Sequence, residues 1–329
     1  MPLEIREPWQ LELAQSYTNP AQLAEFLELS PEWAAQHGQA RKLFSMRVPR
    51  PFAELMEKGN PRDPLLLQVM PLTDEFLEVP GYQVDPLAEA EHSPAPGLLH
   101  KYTSRVLIIF RGGCAVNCRY CFRRHFPYAD HQLKREDWDK IERYLNDHPQ
   151  INEVILSGGD PLMAKEQHLF EAIQRIEQFA NIKRLRIHTR LPIVIPSRLT
   201  QSLLEVLTSS RLQSVLVLHA NHAREISPEL KHQLAKFRQQ GVWLLNQSVL
   251  LKDINDSVEA LSALSEALFQ AGIQPYYLHQ LDTVAGAAHF AVDDAKAMRL
   301  SAELRKQLPG FLVPTLVREI PGEPNKTPL

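Results

Sequence analysis

From Arg105 onward, short apolar runs at residues 106–110, 154–156, 185–187, 215–218, 243–245 and 275–278 alternate with longer amphipathic stretches. An apolar run without polar alternation, closed off after a few residues, suits a strand covered on both faces. Between the runs the apolar residues recur at three- and four-residue steps. Val258, Leu261, Leu264, Ala267 and Leu268 make one helical face, and Leu230, Leu234 and Phe237 another. Six buried strands alternating with helices imply an α/β chain, a parallel sheet with helices outside, in the manner of a partial (β/α)6 barrel. Such folds place their chemistry in the loops at the carboxyl ends of the strands.

Residues 1–100 follow a different pattern. Helical patches at 21–29 and 51–58 are interrupted by Pro49, Pro51, Pro61, Pro64, Pro71, Pro80, Pro86, Pro94 and Pro96, and prolines at this spacing stop helices and make extended connectors. The expected organisation is a helical, proline-rich extension over 1–100, a barrel over 101–310 and a C-terminal segment over 311–329. No stretch approaches the roughly 20 apolar residues of a membrane helix, and the start MPLEIREPWQ has no apolar run of a signal peptide. These features lead to the expectation of a cytoplasmic protein. A net charge of −3 over 329 residues argues against a generally basic nucleic-acid binder.

All three cysteines, Cys114, Cys118 and Cys121, fall within eight residues directly after the first apolar run. Three is an odd number and the spacing is too tight for a disulfide framework, which points to a reduced compartment and a metal or redox role. A C-x3-C-x2-C loop can put three thiolates on a cubane cluster and leave one iron open. The alternative is a Cys3His zinc site completed by His125; with Arg119, Arg123 and Arg124 the same loop would then read as a basic RNA-binding module. At the end of the second run stands Ser157-Gly158-Gly159-Asp160. There glycine lets backbone approach a ligand closely, and a carboxylate can accept from an ammonium.

The stretches CAVNCRYCFRR (114–124), SGGDPL (157–162), RIHTRLPIVIPSRLT (186–200), NQSVLLKDIND (246–256), PYYLHQLD (275–282) and PGEPNKTP (321–328) resemble the lysine 2,3-aminomutases, a family of radical S-adenosylmethionine enzymes. Residues 47–61 and 97–102 are similar to its short subgroup, which supplies β-lysine to elongation factor P. The resemblance implies a 4Fe–4S cluster on Cys114, Cys118 and Cys121. It implies S-adenosylmethionine against Ser157, Gly158, Gly159, Asp160 and His188, and pyridoxal phosphate on Lys326, Arg105 and Tyr102. Arg123 would clamp the substrate carboxylate, while Asp282 and Glu319 would hold its ε-ammonium. His188, Arg190, His219 and Asn221 would lie near the cofactors. The implied reaction exchanges the 2-amino group of lysine with a hydrogen on carbon 3, with the R form of β-lysine expected. Implied partners are free lysine, elongation factor P with its lysine ligase, and a reductant protein such as flavodoxin. An aminomutase acting on another amino acid is the nearest alternative.

Overall fold

The computed structural model describes residues 7–128 and 133–329, and of residues 90 and 91 the backbone only. The extension carries four short helices, α1 (Pro8–Ala14), α2 (Pro20–Phe26), α3 (Pro31–His37) and α4 (Arg50–Ala53). Each has proline in its first turn. Of the prolines expected to break helices, Pro51 instead lies in the first turn of one, α4, where the first-turn N–H has no helical partner to lose. Asn19 and Ser30 cap α2 and α3 by accepting backbone N–H groups.

A nine-stranded sheet follows: β1 (Leu98–Tyr102), β2 (Arg105–Arg111), β3 (Glu153–Gly158), β4 (Arg184–Thr189), β5 (Gln213–Leu218), β6 (Trp243–Val249), β7 (Gln274–His279), β8 (Thr315–Arg318) and β9 (Thr327–Pro328). Strand order is chain order. Strands β2 to β8 are parallel, with β1 and β9 antiparallel on the two edges. The crossovers are helical: α5 (Asp137–Asp147), α6 (Glu166–Glu177), the short α7 (Leu191–Val194) with α8 (Gln201–Thr208), α9 (Pro228–Gln239), α10 (Val258–Gln270) and α11 (Asp294–Gln307). Thr200, Ser227, Ser257 and Asp293 cap α8 to α11 through their side-chain oxygens, each satisfying an N–H that the helix leaves open.

All six apolar runs are strands, β2 to β7. The seventh parallel strand, β8, and the edge strand β9 lie inside the segment expected to be a C-terminal tail, so the sheet runs from Leu98 to Pro328 and crosses the boundary drawn at 310. The extension is no separate body either. Leu23, Phe52, Leu65 and Met70 share one hydrophobic cluster with Ile108, Leu156 and Ile187 of the sheet. At roughly 25 cal/mol per Å2 of apolar surface, such shared burial makes extension and sheet one packing unit.

The sheet stays open between its edge strands, and side chains bridge the seam. Tyr102 Oη in β1 donates to Glu319 Oε1 at 3.0 Å, Lys101 Nζ stands 3.9 Å from the same oxygen, and Lys326 pairs with Glu319 from the β9 side.

Candidate active site

A cavity of about 270 Å3 opens inside the sheet, and Cys114, Cys118, Cys121, Asp282, Glu319 and Lys326 all line it. Residues expected to serve two cofactors and a substrate therefore share one enclosure. Most reach it from the carboxyl ends of strands. Arg105 departs from that rule: it opens β2 at the amino end and still lines the cavity.

The cysteine loop is held from below by the extension. Asn117 N–H donates to Arg47 C=O, Arg119 N–H donates to Gln68 C=O, and Arg47 Nη1 donates to Cys114 C=O at 3.0 Å. Glu75 takes both Arg119 (Nε–Oε1 2.8 Å) and Arg124 (2.6 Å), with all three side chains fully buried. Arg123 pairs with Glu89 instead. The arginines of the loop are thus internal struts, and no basic RNA-binding face is left on them. His125 is turned to the Ala285 carbonyl at 3.1 Å, away from a fourth-ligand role. Among the described residues no group of three or more His, Cys, Asp and Glu is disposed around a single ion. That disfavours a Cys3His zinc site; a cubane puts each thiolate on a different iron and needs the sulfurs farther apart. Burial, then the neighbouring thiols, push Cys114 and Cys121 up, Cys121 to about 12. Such thiols stay protonated until coordination displaces the proton. The donor set fits the cluster.

Glu75 gives a stability prediction. Glu75→Gln keeps the shape and strips two buried guanidinium groups of their shared counter-ion, a loss of about 3–5 kcal/mol. Urea unfolding should show it, while Glu78→Gln in the exposed part of the same segment should stay within about 0.5 kcal/mol of the parent. Equal stability of the two variants would contradict the strut role.

The glycine loop serves first to seat the cysteine loop. Gly158 has φ +113, and a Cβ on it would lie 2.5 Å from the Arg111 carbonyl oxygen; one on Gly159 would lie 2.6 Å from that of Gly113. Gly159 and Asp160 donate their N–H groups to those same two carbonyls. Both glycines are demanded by chain-on-chain contact, which ties β3 to the loop after β2. Asp160 also differs from expectation. One carboxylate oxygen accepts from Leu162 N–H (3.0 Å) and Thr189 Oγ1 (2.7 Å), the other from Arg190 N–H (2.8 Å) and Leu191 N–H (2.9 Å). With four donors satisfied, this carboxylate positions the β4 end and has little capacity left for an ammonium. Ser157 Oγ accepts from Arg123 at 3.1 Å.

Beside Cys118 lies a buried network that motif reading did not assemble. Arg190 Nη1 donates to Cys118 Sγ at 2.8 Å and bonds Tyr120 Oη, while its Nη2 reaches Gln68 (2.7 Å) and Glu225 (3.1 Å). Asn221 Nδ2 donates to Tyr120 Oη at 2.6 Å and to Gln68 at 3.0 Å. A guanidinium against a cysteine sulfur stabilises negative charge there. Gln68 and Glu225, separated by most of the barrel in sequence, carried no pattern that could have marked them.

At the seam, Glu319 is bonded to Tyr102 and paired with Lys326, not with Asp282. Burial would raise its carboxyl, but the Lys326 ammonium, Lys101 and the Tyr102 bond hold it down to about 2. Asp282 goes the other way: burial, then the Glu319 charge, push it up to about 7. The two acids feel each other across the cavity. The Arg105 guanidinium lies over the Tyr102 ring at 4.1 Å and has no side-chain hydrogen-bond or carboxylate partner among the described residues, which leaves a cation free for an anionic group. His188 Nε2 and His279 Nε2 are buried, line the cavity and bond nothing, as expected of a site built for a polar ligand. A lysine, an unpaired arginine, aromatic rings and orphan imidazoles fit pyridoxal phosphate. His219 shares Gln247 Nε2 with His188, at 3.0 and 3.4 Å.

Arg123 is the third departure. Its Nε and Nη2 hold both oxygens of Glu89 at 2.8 Å, and Nη1 donates to Ser157 Oγ and Gly158 C=O at 3.1 Å. The fork expected to clamp a substrate carboxylate already holds one from the chain itself.

The Radical SAM superfamily model matches residues 108–226. The chain is 53% identical over 325 residues to the L-lysine 2,3-aminomutase of Escherichia coli (strain K12), covering 98% of this chain and 95% of that protein. It is 49% identical to the L-lysine 2,3-aminomutase of Haemophilus influenzae, at 98% and 96% coverage. It is 46% identical to that of Buchnera aphidicola, at 98% and 95%.

Proposed function

This chain belongs to the lysine 2,3-aminomutase family of radical S-adenosylmethionine enzymes and is an isomerase, and we propose that it moves the 2-amino group of L-lysine to carbon 3 with pyridoxal phosphate held at Lys326. The observation that carries this reading is a single cavity lined by three thiols, by Lys326 and by Asp282 and Glu319. When bound, the cluster with S-adenosylmethionine supplies a radical able to abstract hydrogen, and pyridoxal phosphate supplies a π-system that spreads the unpaired electron.

The chain's own residues do the holding. Cys114, Cys118 and Cys121 carry the cluster. Ser157, Gly158, Gly159 and His188 form the S-adenosylmethionine side, with Asp160 fixing the loop. Arg105 and Tyr102 take the phosphate and flank the ring. Lys326 would hold pyridoxal phosphate by its amine, and Asp282 and Glu319 line the same cavity. Two carboxylates there suit a cationic side-chain end such as the ε-ammonium of lysine. A glutamate side chain would be repelled by the same pair, and ornithine is a methylene short. The β-lysine product, in the R form, is destined for elongation factor P through its lysine ligase, and a flavodoxin-type protein supplies the electron. That destination rests on the subgroup likeness of residues 47–61 and 97–102.

Asp282 supplies the test. As pH rises through about 7 it ionises and adds a second negative charge to the ε-ammonium site, so lysine affinity should rise through that interval and level off above it. Asp282→Asn should flatten this dependence and cost about 3–5 kcal/mol of binding above the transition, roughly two to three and a half decades in Kd. S-adenosylmethionine affinity should be unmoved. Equilibrium titration of the cofactor-loaded protein with lysine, ornithine and glutamate across that pH range decides the matter. Unchanged lysine affinity in the variant, or glutamate bound as well as lysine, would defeat the reading.

A further inference from the structure

We infer that Glu89 is a specificity-determining residue, a carboxylate that occupies Arg123 until the substrate's own carboxylate replaces it. The inference rests on the proposed reading that Arg123 meets the α-carboxylate of lysine.

Glu89 presents both oxygens to Nε and Nη2 of Arg123 at 2.8 Å, a parallel two-bond fork of the kind an amino-acid carboxylate makes with arginine. The pair is buried and both residues line the cavity. With Ser157 and Gly158 holding Nη1, four of the five guanidinium N–H groups are spent. A substrate carboxylate can take a two-point grip only by exchange.

Exchange is also the physically cheap route. Removing a partner from a buried arginine leaves an uncompensated charge; swapping one carboxylate for another keeps the pair intact throughout. The released Glu89 regains water. It belongs to the extension, not to the sheet, in a short 3-10 turn at Glu89–His92. The residue before it, Ala88, has φ 48 and ψ 44, a left-handed conformation that alanine adopts at a cost. A strained, non-glycine hinge beside the displaceable group is what a two-position segment requires. Further ties to the sheet are Lys101 Nζ to the Leu87 carbonyl at 3.1 Å and, at the far end of the segment, the Ile109 N–H to the Gly97 carbonyl and the Leu98 N–H to the Ala95 carbonyl. The consequence for selectivity is direct. A ligand with the lysine side chain but no carboxylate has nothing to offer Arg123 and leaves Glu89 in place.

Hydrogen exchange on the wild-type, cofactor-loaded protein tests this without a variant. Saturating L-lysine should speed amide exchange across residues 84–97, and 1,5-diaminopentane, which is lysine without its carboxylate, should not. No change with lysine, or an equal rise with both ligands, overturns the proposal. Two variants separate it from the reading beneath. Glu89→Gln should tighten lysine binding about tenfold or more, since a neutral amide competes less well for the guanidinium; weaker or unchanged binding means that Glu89 is a fixed support and overturns the exchange. Arg123→Gln should lose lysine binding. Lysine affinity retained in Arg123→Gln would instead remove the premise that the substrate carboxylate reaches this arginine, and the exchange would fall with it.

Discussion

Alanine at any one of Cys114, Cys118 or Cys121 should abolish cluster assembly and every step that depends on it. The sequence contains three cysteines in all, so no spare thiol can take over, and a cubane held by two thiolates lacks the third protein bond that retains it. The surrounding structure predicts that the loss is local. The loop is fastened through Glu75, Arg119 and Arg124 and through backbone bonds to Arg47 and Gln68, none of which uses a sulfur. Each variant should therefore keep its circular dichroism and unfolding midpoint as metal-free protein, while iron and sulfide after anaerobic reconstitution fall to background together with the brown colour. Cys118 adds a finer expectation, because its sulfur accepts from Arg190: Arg190→Lys should leave the cluster in place and shift its potential. A single-alanine variant with full iron content and full turnover would contradict the ligand assignment.

Lys326→Ala should lose covalently attached pyridoxal phosphate completely and leave cluster assembly and S-adenosylmethionine binding intact. The two functions are built from different parts of the chain, the loop after β2 and the approach to β9. The electrostatics around Lys326 extend the prediction. Its ammonium is the largest favourable influence on Glu319, so in the alanine variant the Glu319 carboxyl should move up from about 2 toward the ordinary range. Lys326→Arg should restore the ion pair and still fail to attach the cofactor, which separates electrostatic from covalent roles. Lys101 is the competitor to exclude, since it lies 3.9 Å from the same carboxylate. Borohydride fixation and peptide mapping should place the pyridoxyl group on Lys326. Its recovery on Lys101, or on Lys165 or Lys252, would sink the assignment.

How far the chain could be read in advance follows from how each element is stabilised. β2 to β7 are parallel strands covered on both faces, so they appear as unbroken apolar runs. β8 escaped because only Leu316 and Val317 of its four residues are buried and prolines stand close by. In the extension, Pro51 reads as a stop in the sequence, although in the first turn of α4 it is a start. The cysteine and glycine motifs marked the right loops. What Gly158, Gly159 and Asp160 bond with emerged only once β2, β3 and β4 were in register. Charges whose partners lie far off in sequence were illegible: Glu75 and Glu89 sit 44 and 34 residues from the arginines they hold, in a stretch with no periodic pattern. Lys326, near a chain end among prolines, had no local signature either. The family resemblance pointed to it, and the fold brings it to Glu319.

The most direct measurement uses L-lysine carrying heavy nitrogen on carbon 2. The protein is reconstituted anaerobically with iron, sulfide and pyridoxal phosphate, then incubated with the labelled lysine, S-adenosylmethionine and a chemical reductant, and the product is resolved on a chiral phase and examined by nuclear magnetic resonance. The expected product is β-lysine, in the R form, with the heavy nitrogen on carbon 3 and no dilution when unlabelled ammonium is present. Label lost to ammonium, or lysine recovered unchanged while S-adenosylmethionine is consumed, would contradict an intramolecular migration of the amino group.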